Sequence, residues 1–315
     1  MIRYVLIAIL VLFATIIFIG CEKEEKYKSK LINGLTLDNY PKVDGSTSTF
    51  PLNTVIACEL LGIHFEWVPN PFGHGWGVEP NLKETEKFWE KIKSSQTHQS
   101  FINLIDKKAD LTFSARKKSP DESKYADDAK VSLIETPIAL DAFIFIVHPN
   151  NPIKSLTIEQ IQGIYTGEIT NWKEVGGNDA TINPYVRNAN SGSQELMELL
   201  VMKDLEILEL PTSPDVVFTM QGAFDAVSSD INGICYSVYY YKEHILRAKH
   251  TKTIAIENVY PDNNSIGNIT YPLVAEVYAV IRSDLDQSSM AYKVYEFLQT
   301  EQGKEIIRKS GYLSN

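Results

Sequence analysis

Two long runs of β-branched and aromatic residues, one ending near Val147 and one near Val280, bracket a middle block of about 130 residues. Around and between them, strand-like and helix-like segments alternate. The strand candidates are HFEWV, ADLTFSA, VSLIETPIAL, AFIFIVH, TINPYVR, GICYSVYYY and PLVAEVYAVI, rich in side chains that suit pleated backbone. The helix candidates are PLNTVIACELL, SFINLIDKK, LTIEQIQGIYTG, SQELMELLVMK, GAFDAVSSD and the terminal MAYKVYEFLQTEQGKEIIRKSG. Such alternation implies α/β layers with largely parallel sheets. The bracketing implies a discontinuous first lobe, residues 36–138 plus 269–315, with residues 139–268 building a second α/β lobe. Ligands in α/β sheets bind beyond the carboxyl ends of strands, so two facing lobes would share one cleft.

At 315 residues, 44% of them hydrophobic, the chain has enough apolar material for both lobes. The first residues are of another kind. Arg3 precedes YVLIAILVLFATIIFIGC, an uncharged apolar run that reads as an export signal over residues 1–20. The run is long for a signal and just short of a comfortable span, so an uncleaved anchor is the alternative. Phe18-Ile19-Gly20-Cys21 resembles the lipobox of bacterial lipoproteins, which implies that Cys21 becomes a lipid-bearing first residue. Residues 21–35, with the charged EKEEKYKSK, then form a solvated tether.

Both readings export the remainder into a compartment that permits disulfides. Cys58 and Cys235 nevertheless fall in different lobes, and two buried free thiols are expected. The six histidines, at 64, 74, 98, 148, 244 and 250, are scattered, and neither CxxC nor HExxH occurs, so neither a metal nor a cofactor is indicated. A net charge of −10 argues against nucleic acid as a partner and leaves no basic membrane-binding surface. It does not exclude a small anion, because net charge acts at long range and is screened beyond about 8–10 Å.

The stretch VRNANSGSQELMELL points to such an anion. Arg187 ends a strand candidate, and Ser191, Gly192 and Ser193 sit on the turn into a helix whose Leu196, Leu199 and Leu200 share one face. A helix start leaves backbone N–H groups without partners and carries partial positive charge. Glycine permits close approach, hydroxyls add donors, and a guanidinium offers a planar fork to a tetrahedral oxyanion. Alone, this is also an ordinary N-cap pattern. Two further turns have the same architecture. DGSTSTFPLNTV places Ser48, Thr49 and Phe50 before a helix-starting proline, and SSQTHQSFINLIDKKADLTFSAR brings Thr97 and His98 to a helix start and Ser114 and Arg116 to a strand end.

In order and spacing the three turns resemble those of the phosphate-binding lipoproteins of bacterial phosphate ABC transporters, the PstS family of the type II periplasmic binding fold. The resemblance runs from about Tyr40 to the C-terminus and includes NPIKSLTIEQIQGIYTGEITNWKEVGG, whose Thr157, Gly167 and Trp172 are expected to be structural. It implies two lobes, each a mixed sheet flanked by helices, joined by a two-strand hinge. It also implies a monomer that captures inorganic phosphate and hands it to a membrane permease and its ATPase. The site so implied comprises Ser48, Thr49, Phe50, Thr97, His98, Ser114, Arg116, Arg187, Ser191, Gly192 and Ser193. Two departures stand out. The second turn reads SQTHQS where the family is rich in glycine and serine. Ala115 stands where several relatives carry an aspartate that accepts the ligand's proton, which leaves another oxyanion such as sulfate open.

Two other classes remain. A hydrolase would need a nucleophile elbow, but Ala189 occupies the first glycine position of G-x-S-x-G around Ser191 and no P-loop occurs, so no enzyme is expected. A sensor or interaction lipoprotein could use EWVPNPFGHGWGVEP, residues 66–80, as a docking insert, with packing of its aromatics on their own lobe as the plainer reading. His64, Glu66 and His74 in that region match no metal-ligand spacing.

Overall fold

The computed structural model describes residues 27–70, 74–208 and 216–314. The expected export signal and the expected lipid-bearing Cys21 lie outside them. Among the described residues no helix is long and apolar enough to cross a membrane.

The chain runs β1 (Val43–Gly45), α1 (Phe50–Leu61), β2 (Phe65–Pro69), β3 (Trp76–Pro80), α2 (Glu86–Lys91), α3 (Thr97–Ile105), β4 (Leu111–Ser114), α4 (Pro120–Asp128) and β5 (Leu133–Val147). It continues through β6 (Ser155–Leu156), α5 (Ile158–Thr166), β7 (Asn183–Pro184), β8 (Val186–Arg187), α6 (Gly192–Leu196), β9 (Val216–Val217), α7 (Met220–Ser229) and β10 (Gly233–Val238). The last elements are β11 (Lys252–Thr253), β12 (Ala255–Ile256), α8 (Asn263–Gly267), β13 (Val274–Arg282), α9 (Met290–Phe297), α10 (Glu301–Lys309) and β14 (Leu313–Ser314). The principal sheet has the order β1-β4-β13-β5-β10-β7, with β11 and β14 also paired to β5. The fold is α/β, a mixed sheet with flanking helices. β1/β4 and β10/β7 are parallel, whereas β13 and β10 run antiparallel to β5.

β5 joins two hydrophobic cores. VSLIETPIAL and AFIFIVH, which read as separate strands, form one, because only Asp141 separates the apolar runs and neither glycine nor proline turns the chain there. Leu133–Ala142 pairs with β13, and Phe143–Val147 pairs with β10. Ala139, Val277 and Ile281 belong to one core with Val43, Ile56, Phe113, Val294 and Ile307. Phe143, Phe145 and Ile146 belong to the other with Trp172, Val201, Phe224, Tyr236 and Ile254. Cys58 and Cys235 are buried free thiols, one in each core.

Local chemistry explains several boundaries. Thr157 accepts the amide of Gln160 in a capping box that opens α5, and Gly167 closes it at φ 82, a left-handed conformation that glycine adopts without strain. Trp172 is buried, and its indole donates to the carbonyl of Asn232. These three residues are structural. The terminal helical segment divides in two because Thr300 caps a new helix, and at Gly303 a Cβ would lie 2.2 Å from the carbonyl oxygen of Phe297. TINPYVR divides as well: β7 pairs with β10, while β8 pairs with β9.

The aromatic segment around residues 66–80 is a hairpin of β2 and β3. Trp67 and Trp76 flank the guanidinium of Arg247, 5.8 and 3.9 Å from the ring centroids. At Gly75 a Cβ would sit 2.6 Å from the carbonyl oxygen of Ile245. Trp67 and Trp76 therefore pack across onto the residues that follow β10, a contact between segments distant in sequence. His64 and Glu66 form an exposed pair at 3.7 Å, and His74 lies on a groove beside Trp76. Among the described residues no three metal-ligating side chains gather.

Candidate functional site

Four helix-starting turns meet around one cavity of about 260 Å³. The turn before α1 contributes Ser46, Thr47 and Ser48. The start of α3 contributes Gln96 and Thr97, the start of α6 contributes Ser191, Gly192 and Ser193, and the start of α7 contributes Thr219, Met220 and Gln221. Arg187 lines the same space, with Ala115, Leu196, Phe218, Val238 and Tyr241. Backbone donors at helix starts and their partial positive charge thus converge with a cation.

Arg187 decides the electrostatics. It is only 6% exposed, and its Nε donates to the carbonyl oxygen of Val217 at 2.9 Å, a partner supplied by the β8/β9 pairing. Its backbone amide donates to the Tyr236 hydroxyl at 2.9 Å, which in turn donates to Gln194. Among the described residues its Nη1 has no partner and no carboxylate lines the cavity. Burial holds the guanidinium below its ordinary pKa, yet an arginine retains its proton. A buried cation without a counter-charge is costly, and an anion in the cavity would relieve that cost.

The capping hydroxyls are already oriented. Ser191 Oγ accepts the amide of Gln194 at 3.2 Å, and Thr219 Oγ1 accepts that of Gly222 at 2.9 Å. An oxygen engaged in this way presents its own proton to a further acceptor. α1 and α3 start without side-chain caps, which leaves their first amides to other acceptors. Gly192 permits the close approach of two turns, since a Cβ there would lie 2.7 Å from Thr97 Oγ1.

Of the residues expected from sequence, the structure brings Ser48, Thr97, Arg187, Ser191, Gly192 and Ser193 to the cavity. Thr49, Phe50, His98, Ser114 and Arg116 do not line it. The Thr49 hydroxyl donates to the carbonyl oxygen of Phe113 at 2.9 Å and braces the turn from beneath. Phe50 turns its ring toward Trp89, 5.7 Å away, in the neighbouring groove. Ser114 donates to the carbonyl oxygen of Arg116 at 2.6 Å. Arg116 is held by Glu122 through two contacts of 2.7 and 2.8 Å, and His98 Nδ1 lies 3.1 Å from the same carboxylate. Glu122 is fully buried as the acidic member of the Ser119 capping box that opens α4. The S-x-x-E spacing of SPDE was the sequence signal for that carboxylate.

Sequence reasoning also missed Ser46, Thr47, Gln96 and the whole α7 turn. β9 followed by Thr219 is a fourth turn of the same kind, and its helix starts at Met220, two residues before the GAFDAVSSD pattern that signals it in the sequence. Gln96 has φ 68 and ψ 166, backbone that is essentially a glycine conformation. The non-glycine SQTHQS turn therefore keeps a glycine-like path at the cost of local strain.

A family profile, the PBP superfamily domain, matches residues 83–302. The chain belongs to the PBP superfamily. This is a family of solute-binding proteins. Among curated relatives, the phosphate-binding protein PstS of Borreliella burgdorferi is 28% identical over 57% of this chain and 65% of its own length. PstS of Bacillus subtilis is 24% identical over 61% of each chain. The chain thus spans less than two thirds of the length of either relative. A protein from Clostridium perfringens solved with bound phosphate superposes with a TM-score of 0.62 at 24% identity, over 87% of this chain and 98% of that one. That likeness establishes the shared fold.

Proposed function

We propose that the protein is an extracytoplasmic solute-binding protein that captures inorganic phosphate and delivers it to an ABC importer. The observation that carries this reading is Arg187, a buried guanidinium without a carboxylate partner among the described residues, set among four helix-starting turns. Each charge-assisted hydrogen bond nets about 1.5–3 kcal/mol, and a micromolar ligand needs about 8 kcal/mol, so five or six contacts suffice after ordering costs. The relatives named as phosphate-binding proteins support phosphate as the ligand.

In this reading Arg187 is the principal cation, and Ser48, Thr97, Ser191, Ser193 and Thr219 supply hydroxyl and amide donors. Residues 36–138 with 269–315, and residues 139–268, act as lobes that close by flexing where β5 and β13 pass between the cores. Cys21 carries lipid that holds the protein at the outer face of the bacterial membrane, where it acts as a monomer beside a permease and its ATPase. The protein performs no catalysis. Calorimetry of the purified chain with phosphate, sulfate and molybdate tests the reading. Phosphate is expected to bind, with Arg187→Ala losing about a hundredfold in affinity. Unchanged phosphate binding by that variant would place the site elsewhere.

A further inference from the structure

A tetrahedral oxyanion that still carries a proton places an O–H in its site, and a buried donor without an acceptor costs about 1–3 kcal/mol. Among the described residues lining the cavity none is Asp or Glu, and Ala115 is one of them. The capping hydroxyls of Ser191 and Thr219 already accept helix amides, so their protons are turned toward other acceptors. A side-chain carbonyl, which only accepts, would take the ligand's proton without giving up a donor.

Gln221 carries such a carbonyl. It lines the cavity in the first turn of α7, and its Nε2 donates to Asp225 Oδ1 at 2.8 Å, one helical turn on. A carboxylate only accepts, so the amide nitrogen must face Asp225 and the carbonyl end must face away. That oxygen, Gln221 Oε1, is buried and has no partner among the described residues. The amide cannot flip to satisfy it without giving up the bond to Asp225.

Resting on the anion-site reading above, we propose that Gln221, held by Asp225, is a specificity-determining residue whose Oε1 accepts the hydrogen bond of a protonated tetrahedral oxyanion. A neutral acceptor discriminates more mildly than a carboxylate. A bare oxygen of an unprotonated anion meets a carbonyl lone pair instead of a full negative charge. The ligand class is therefore broader than phosphate alone: protonated oxyanions are preferred and sulfate is tolerated.

The test is calorimetry of the full chain with phosphate and with sulfate, for the unaltered protein, Gln221→Leu and Gln221→Glu with Asp225→Asn. The unaltered protein is expected to prefer phosphate by about tenfold, the worth of one hydrogen bond. Gln221→Leu should erase that preference by weakening phosphate about tenfold while sulfate stays within about twofold. Gln221→Glu, made together with Asp225→Asn so that an amide donor still faces the new carboxylate, should retain phosphate and weaken sulfate by about a hundredfold or more. Equal losses for both anions in Gln221→Leu would show that the side chain only packs, and no change in either would show that it does not reach the ligand. Either result overturns this inference while leaving the anion site standing. An unaltered protein that binds neither anion removes the site and the inference together.

Discussion

Arg116 and Arg187 are both buried arginines at the ends of strands beside the turns, and local sequence ranks them alike. Their surroundings differ. Arg116, 3% exposed, is gripped by Glu122 through two hydrogen bonds and lies 5.6 Å from the ring of Phe101. Arg187, 6% exposed, is held by a carbonyl at Nε while its Nη1 has no partner among the described residues. One charge is cancelled within the protein and ties α4 to the strand end. The other is kept uncancelled at a cavity. The same side chain thus serves as a cross-link in one place and as a receptor in the other, and the difference lies in whether an acidic residue was folded against it.

The largest expected effect is on the paired arginine. Arg116→Ala leaves Glu122 buried without its cation and should destabilise the protein by about 3–5 kcal/mol in chemical denaturation. A much smaller loss would mean that the pair is not a structural cross-link. The unpaired arginine should behave in the opposite way. Phosphate at a hundred times its dissociation constant should stabilise the unaltered protein by about 2.7 kcal/mol, and Arg187→Met should abolish that increment while leaving the ligand-free protein at least as stable. Ligand-dependent melting of the two proteins reads both numbers, and a destabilised ligand-free variant would break the contrast.

A third buried charge sharpens the comparison. Asp141, where β5 passes from one core to the other, accepts the amides of Ala142 and Tyr240 with Oδ1, while Oδ2 has no partner among the described residues. Burial pushes its carboxyl up to about 7. The folded protein then holds the proton more tightly than the unfolded chain, so this group's contribution to stability is full at low pH. It falls as pH rises from about 4 to about 7 and is level above that. Asp141→Asn should flatten this slope and gain about 1–2 kcal/mol at pH 8, measured by denaturation between pH 4 and pH 8. An unchanged slope would locate the titration in another group.

Much of the fold was legible in the sequence because its signals are local. Alternating segments gave the α/β layers, the Thr157 and Gly167 caps bounded α5, and the glycine–serine turn marked the start of α6. Each depends on residues within a few positions of one another, where backbone geometry restricts the choices. The division of labour within the candidate site was not local. Thr49 braces its turn because Phe113, sixty-four residues away, offers a carbonyl oxygen. Arg187 finds Val217 through the β8/β9 pairing, and His98 turns to Glu122 on another helix.

By itself, then, the sequence determined that hydroxyl-rich helix starts would exist and that arginines would stand near them. Tertiary structure alone decided which hydroxyls line the cavity, which arginine keeps its charge unmatched, and that Gln221 stands there with a buried, unpartnered oxygen. The physical reason is that hydrogen-bond and charge partners are chosen through space. Side chains of identical type acquire different roles according to what the fold packs beside them.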